Sequence, residues 1–87
     1  MDEIIAKMKE LETLVKAHSD IVTACEVSNG ILGTSILMKD MKDVPTYDGT
    51  TYRKTNSGSL PYKKETVIDG IKVGAWGTQE DMKNEVA

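Results

Sequence analysis

The stretch DIVTACEVSNGILGTSILM, residues 20–38, decides the fold, because it reads either as two strands or as the tail of a helix. In the first reading, residues 21–28 and 31–38 are rich in β-branched side chains and flank Asn29-Gly30. A two-residue type I′ turn prefers that dipeptide because both of its central positions need positive φ. Ile21, Thr23, Cys25 and Val27 then share a face with Leu32, Thr34, Ile36 and Met38. In the second reading, Val22 and Cys25 prolong the heptad spacing of the preceding segment, and Asn29-Gly30 ends a helix. The β-branched enrichment favours the hairpin, with the helical continuation of residues 20–28 left open.

Upstream, Ile4, Met8, Leu11, Val15 and His18 recur at alternating spacings of four and three, a heptad seam that predicts a helix over 2–18. Asp2 and Glu3 complement the positive pole of the helix dipole, and Lys16 and His18 the negative one. Glu3 with Lys7 and Glu12 with Lys16 are spaced to pair along the surface. Such a helix is marginal in isolation, so its apolar stripe needs a surface. Burying Ile4, Met8, Leu11 and Val15 contributes about 1.5–3 kcal/mol each. Ile5 and Leu14 widen the stripe, which favours packing on or beside the protein's own sheet over a helix–helix seam.

Downstream, Pro45, Asp48-Gly49 and Asn56-Ser57-Gly58 mark 39–60 as a loop region, with room for a helical turn within 38–44 and a short strand within 50–54. A second hairpin is expected over 61–77 around Asp69-Gly70. Its alternation puts Thr66, Ile68, Ile71, Val73 and Ala75 on a buried face, and Lys63, Glu65, Lys72 and Trp76 on a polar one. Thr78 followed by Asp81 resembles a capping box and opens a short helix over 79–86. The expectation is one α+β domain over 1–87: an amino-terminal amphipathic helix, an antiparallel sheet of two β-hairpins and a short carboxyl-terminal helix.

Composition narrows the function. The chain has 87 residues with no Phe and one Trp, so its core is aliphatic and thin. Near this size a lone core supplies only about 3–5 kcal/mol, which makes self-association a natural supplement. Eleven Lys and Arg against 14 Asp and Glu give a net charge of −3, without the basic excess of a dedicated duplex binder. A helix-turn-helix over 20–42 fits poorly, since Gly30 and Gly33 would weaken the recognition helix by about 1 kcal/mol each. No run approaches the roughly 18 apolar residues of a membrane span. Met1-Asp2-Glu3 lacks the basic segment of a secretory leader, and one cysteine suits a reducing compartment, so a cytoplasmic location is expected.

Reactive constellations are equally sparse. His18, Ser19 and Asp20 are adjacent in the chain and cannot converge on one reacting atom as a triad. Cys25 among aliphatic neighbours reads as a small hydrophobe rather than a nucleophile. One Cys and one His leave no set for structural zinc, and the glycines lack phosphate-loop spacing. No enzyme, metal or cofactor is expected.

Two surfaces remain. Ile4, Met8, Leu11 and Val15 are the expected oligomer interface. Tyr52, Arg53, Lys54, Lys63 and Lys64, a basic and aromatic concentration, are expected to contact a protein partner together with Trp76. The resulting expectation is a small non-enzymatic protein-binding module, an inhibitor or regulator acting as a homo-oligomer. The alternative is a structural subunit of a larger particle such as a viral assembly, and a nucleic-acid-binding regulator ranks below both.

Overall fold

The computed structural model describes residues 1–30, 33–56 and 58–86. Its elements are α1 (Asp2–Ala17), β1 (Val22–Glu26), β2 (Ser35–Met38), a 3₁₀ turn (Met41–Asp43), β3 (Thr51–Lys54), β4 (Tyr62–Ile68), β5 (Ile71–Gly77) and α2 (Gln79–Val86). The strands form one five-stranded sheet in the order β1-β2-β5-β4-β3. The α+β class is as the sequence predicts. The sheet, however, is mixed: each neighbouring pair is antiparallel except β2 and β5, which run parallel through Ser35–Lys72, Ile36–Val73 and Leu37–Gly74.

The helical reading of residues 20–28 is excluded, because α1 stops at Ala17 and the chain is extended from Val22 to Glu26. A helix-turn-helix over 20–42 falls with it. The hairpin is present but is not closed at Asn29-Gly30. A two-residue turn there would set Cys25 opposite Thr34, whereas Cys25 pairs with Ile36 and Glu26 with Ser35. The connection is accordingly longer, and Ser28 N–H reaches the Gly33 carbonyl at 3.1 Å. Ile31 and Leu32, which the two-residue turn would have placed in the second strand, lie outside the described residues. An irregularity between Val22 and Ala24 also changes the facing of the first strand. It brings Val22, rather than Thr23, opposite Met38, and Val22 packs against the core while Thr23 is exposed.

The second hairpin matches its sequence signal residue by residue. Ile68 pairs with Ile71, and Asp69 and Gly70 carry φ of 50° and 80°, both in the left-handed region that a type I′ turn requires. Aspartate tolerates that region and alanine does not. Gly70→Ala is therefore expected to cost about 1–2 kcal/mol, seen as a lower urea midpoint at unchanged slope. An unchanged midpoint would mean that the turn does not need its glycine.

The core lies on one face of the sheet. Met38, Val73 and Ala75 from the strands meet Met41 and Val44 from the 3₁₀ turn and the residue after it, and Met82 of α2 closes over them. The turn is pinned to β4 by a relay of hydrogen bonds. Tyr47 N–H donates to Thr50 Oγ1 at 2.8 Å, and the Thr50 and Thr66 hydroxyls lie 2.7 Å apart. Thr66 Oγ1 donates to the Pro45 carbonyl at 2.7 Å, which leaves Thr50 as the donor to Thr66. The buried hydroxyl of Thr66 is thus satisfied, as a polar group in this position must be. At the far end Thr78 N–H donates to Asp81 Oδ2 at 2.8 Å and Asp81 N–H to Thr78 Oγ1 at 3.2 Å, the reciprocal capping box expected for α2.

Candidate functional site

Two accessible surfaces follow from this arrangement. The first is α1. It meets the sheet chiefly along β1 and buries none of its residues. Ile4, Ile5, Met8 and Leu14 are 61, 48, 51 and 57 % exposed, while Leu11 and Val15 are half-buried. The width of the apolar stripe favoured packing on the sheet, yet the helix stands at its edge. Neither face of the sheet offers a seat. One is covered by the 3₁₀ turn and α2, and the other carries Lys63, Glu65 and Lys72. Between helix and edge strand runs an open groove of about 430 Å³, bounded by Ile5, Met8, Leu11 and Val15 on one side and Ala24 and Cys25 on the other. The molecule is elongated, 46 × 27 × 26 Å.

The second surface is the uncovered sheet face. Register aligns Arg53 of β3 with Lys63 of β4, and Lys63 with Trp76 of β5, as one row across three strands. Lys63 Nζ lies 5.1 Å from the centre of the Trp76 ring and 3.5 Å from Glu65 Oε2. The cation thus sits over the ring face, where the aromatic quadrupole attracts it. Trp76 is half-buried and does not lie beneath α2, which packs against Gly77 on the opposite face.

The basic and aromatic concentration inferred from the sequence is therefore split by the pleat. Arg53, Lys63 and Trp76 share the open face. Lys54 is exposed at the end of the edge strand, opposite Tyr62. Tyr52 and Lys64 turn the other way. Lys64 is 1 % exposed: its ammonium is 2.6 Å from Glu85 Oε1 of α2, donates to the Met41 carbonyl at 3.2 Å, and lies 5.9 Å from the centre of the Tyr52 ring. The Tyr52 hydroxyl donates to the same Glu85 oxygen at 3.1 Å. This cluster fastens α2 to β3, β4 and the 3₁₀ turn, and it takes Lys64 out of reach of any outside partner. Glu85 was not singled out from the sequence. The signal for Lys64 was there, because it stands in phase with Thr66 and Ile68 on the inward side of β4.

His18 caps the end of α1 and Cys25 lies half-buried on β1. Among the described residues no three His, Cys, Asp or Glu side chains are placed to hold a metal ion, and no helix is long and apolar enough to cross a membrane. No protein-family profile, no curated protein and no solved structure matches the chain.

Proposed function

We propose that this chain is a non-enzymatic protein-binding module that works as a homo-oligomer, inhibiting or regulating a protein partner. In this reading α1 makes the self-contact, and the Arg53–Lys63–Trp76 row of the open sheet face meets the partner. The observation that carries it is the helix itself: four large aliphatic or thioether side chains stand 48–61 % exposed on one element of a domain with few buried side chains. A contiguous apolar surface of this kind marks an interaction site, and self-association would supply the burial that the small core lacks. The aromatic ring and flanking cations of the second surface have the composition of an interface anchor.

Sedimentation across a dilution series tests this. The expected result is a small closed oligomer that dissociates on dilution. Ile4→Glu with Met8→Glu should weaken it by at least about 100-fold, given about 1.5–3 kcal/mol per apolar side chain returned to water. Trp76→Ala should leave it unchanged. A chain that stays monomeric at every concentration would discard the homo-oligomer and favour the structural-subunit alternative, in which α1 is covered by other particle proteins.

A further inference from the structure

The order of residues along α1 carries more than an apolar stripe. Outward from the bond between Lys9 and Glu10, residues 3–16 of the helix read as a mirror image with charges inverted, and Asp2, which reflects onto Ala17, is the one charge outside the pattern. Apolar residues reflect onto apolar residues: Met8 onto Leu11, Ile5 onto Leu14, Ile4 onto Val15. Charges reflect onto their opposites: Lys9 onto Glu10, Lys7 onto Glu12, Glu3 onto Lys16. Nothing within one molecule requires such a pattern. Along a single helix the ion pairs are local, Lys7 with Glu10 at 3.4 Å and Glu12 with Lys16 at 3.3 Å, and both are exposed. Pairs of that kind stabilise by only a few tenths of a kcal/mol.

We infer that α1 pairs antiparallel with α1 of a second copy of this chain, about a two-fold axis that crosses the helix at the Lys9–Glu10 bond. The inference rests on the self-association proposed above and specifies its geometry. A two-fold axis at that bond brings each residue level with its mirror position on the other helix. Met8 then meets the second copy's Leu11, and Ile4 the second copy's Val15, which closes the seam with aliphatic contacts at every layer. The levels of residues 3, 7 and 9 each match an acid on one helix with a base on the other, and on each side of the seam Lys7 and Lys9 stand about 3 Å along the axis from the second copy's Glu10 and Glu12 respectively. The helix dipoles oppose as well, so each amino-terminal acid pair lies beside the partner's Lys16. A parallel in-register pair would repeat the same charge at every level.

The groove fits this occupant. Its lining is Ile5, Met8, Leu11 and Val15 of the apolar stripe and the edge-strand residues Ala24 and Cys25, with Lys9, Glu12 and Lys16 beside them. Its carboxyl-terminal part is formed by Leu11 and Val15. The antiparallel partner lays the amino-terminal half of its helix along those residues. Its Ile4 and Ile5, exposed in the single chain, cover the groove at the β1 edge. The two-fold axis fills each groove once, so the contact closes as a dimer and does not propagate.

Disulfide trapping distinguishes the arrangements. In a Cys25→Ser background, a chain carrying Ile4→Cys is mixed with a differently tagged chain carrying Val15→Cys and oxidised. The antiparallel pair is expected to yield the mixed cross-link at least tenfold over the Ile4→Cys self cross-link. In that geometry the two copies of position 4 stand about 16 Å apart along the axis, beyond the roughly 7 Å that a disulfide spans. Should the Val15 variant fold poorly, Met8→Cys mixed with Leu11→Cys gives a second cross-link, read against the Ile4→Cys self cross-link because the two copies of position 8 are themselves only about 4.5 Å apart along the axis. A dimer that yields mainly self cross-links, or none at α1, overturns the antiparallel pairing and leaves self-association standing. A sample that is monomeric by sedimentation overturns both.

Discussion

Replacing Lys64 by methionine is expected to remove about 3 kcal/mol of stability, most of what a domain of this size possesses. Methionine reproduces the apolar stem of lysine and omits only its terminal ammonium, so packing is largely kept and the loss reports the charge. Without the ammonium, Glu85 is left with the Tyr52 hydroxyl as its remaining hydrogen-bond donor in a cluster where its side chain is only 13 % exposed, and the Met41 carbonyl loses a donor. An uncompensated carboxylate in such a place is what makes breaking a buried pair so destabilising. Removing both charges should do far less harm. Lys64→Met combined with Glu85→Leu is expected to recover at least half of the loss, because two apolar side chains of similar size avoid the desolvation that the ions suffer. Urea denaturation of the two single variants and the double variant measures this as a thermodynamic cycle. If Lys64→Met unfolds at the wild-type midpoint, or the double variant is no better than the single, the account of this cluster is wrong.

The second large effect is expected where α2 leaves the sheet. A β-carbon at Gly77 would run into the Met41 thioether and come within 3.1 Å of Asp81 Cβ. Met41 is itself buried in the core and has little freedom to retreat. Gly77→Ala should therefore cost about 1–3 kcal/mol through overpacking, although alanine is an otherwise ordinary residue for a strand end. The proof lies in rescue. Met41→Ala alone should cost about 2–5 kcal/mol as a cavity, but in the Gly77→Ala background the added methyl moves into the vacated space. The pair should then lose less than the sum of its parts by at least about 1 kcal/mol. Simple additivity would show that the close approach is not what reserves this position for glycine.

These two sites also show what could be read from the sequence and what could not. Features set by neighbours in the chain were legible: the heptad spacing of α1, the Asp69-Gly70 turn with its register, and the Thr78–Asp81 capping box. Each is decided within a few residues, so propensity and pattern suffice. The first hairpin was legible as strands but not in register. Asn29-Gly30 is a good turn dipeptide, yet the pairing is set by the need to place Val22 and Ile36 against a core built by β5 and the 3₁₀ turn, and a longer connection accommodates that. The parallel junction had no local signal at all. Among the candidate site residues, Arg53, Lys63 and Trp76 do come together, because period-two alternation carries across paired strands. Tyr52 and Lys64 do not join them, since nearness in sequence does not give a shared face on a pleated strand. Alternation alone would have sent Lys64 inward. Finding its partner Glu85 required knowing that α2 folds back over β4 and β3.

The parallel junction between β2 and β5 has a consequence for how the chain reaches this state. On either side of it, strands are wired to their sequence neighbours, β1 to β2 and β3 through β4 to β5, and can zip up within a short span of backbone. The strand pairing from Ser35–Lys72 to Leu37–Gly74 and the core contacts above it stitch the two pieces together, across a segment whose closure entropy is on the order of 3 kcal/mol. Docking of one locally paired ribbon against the other is therefore the expected late event in assembly, which φ-values lower at Ile36 and Leu37 than at Thr66 and Ile68 would show.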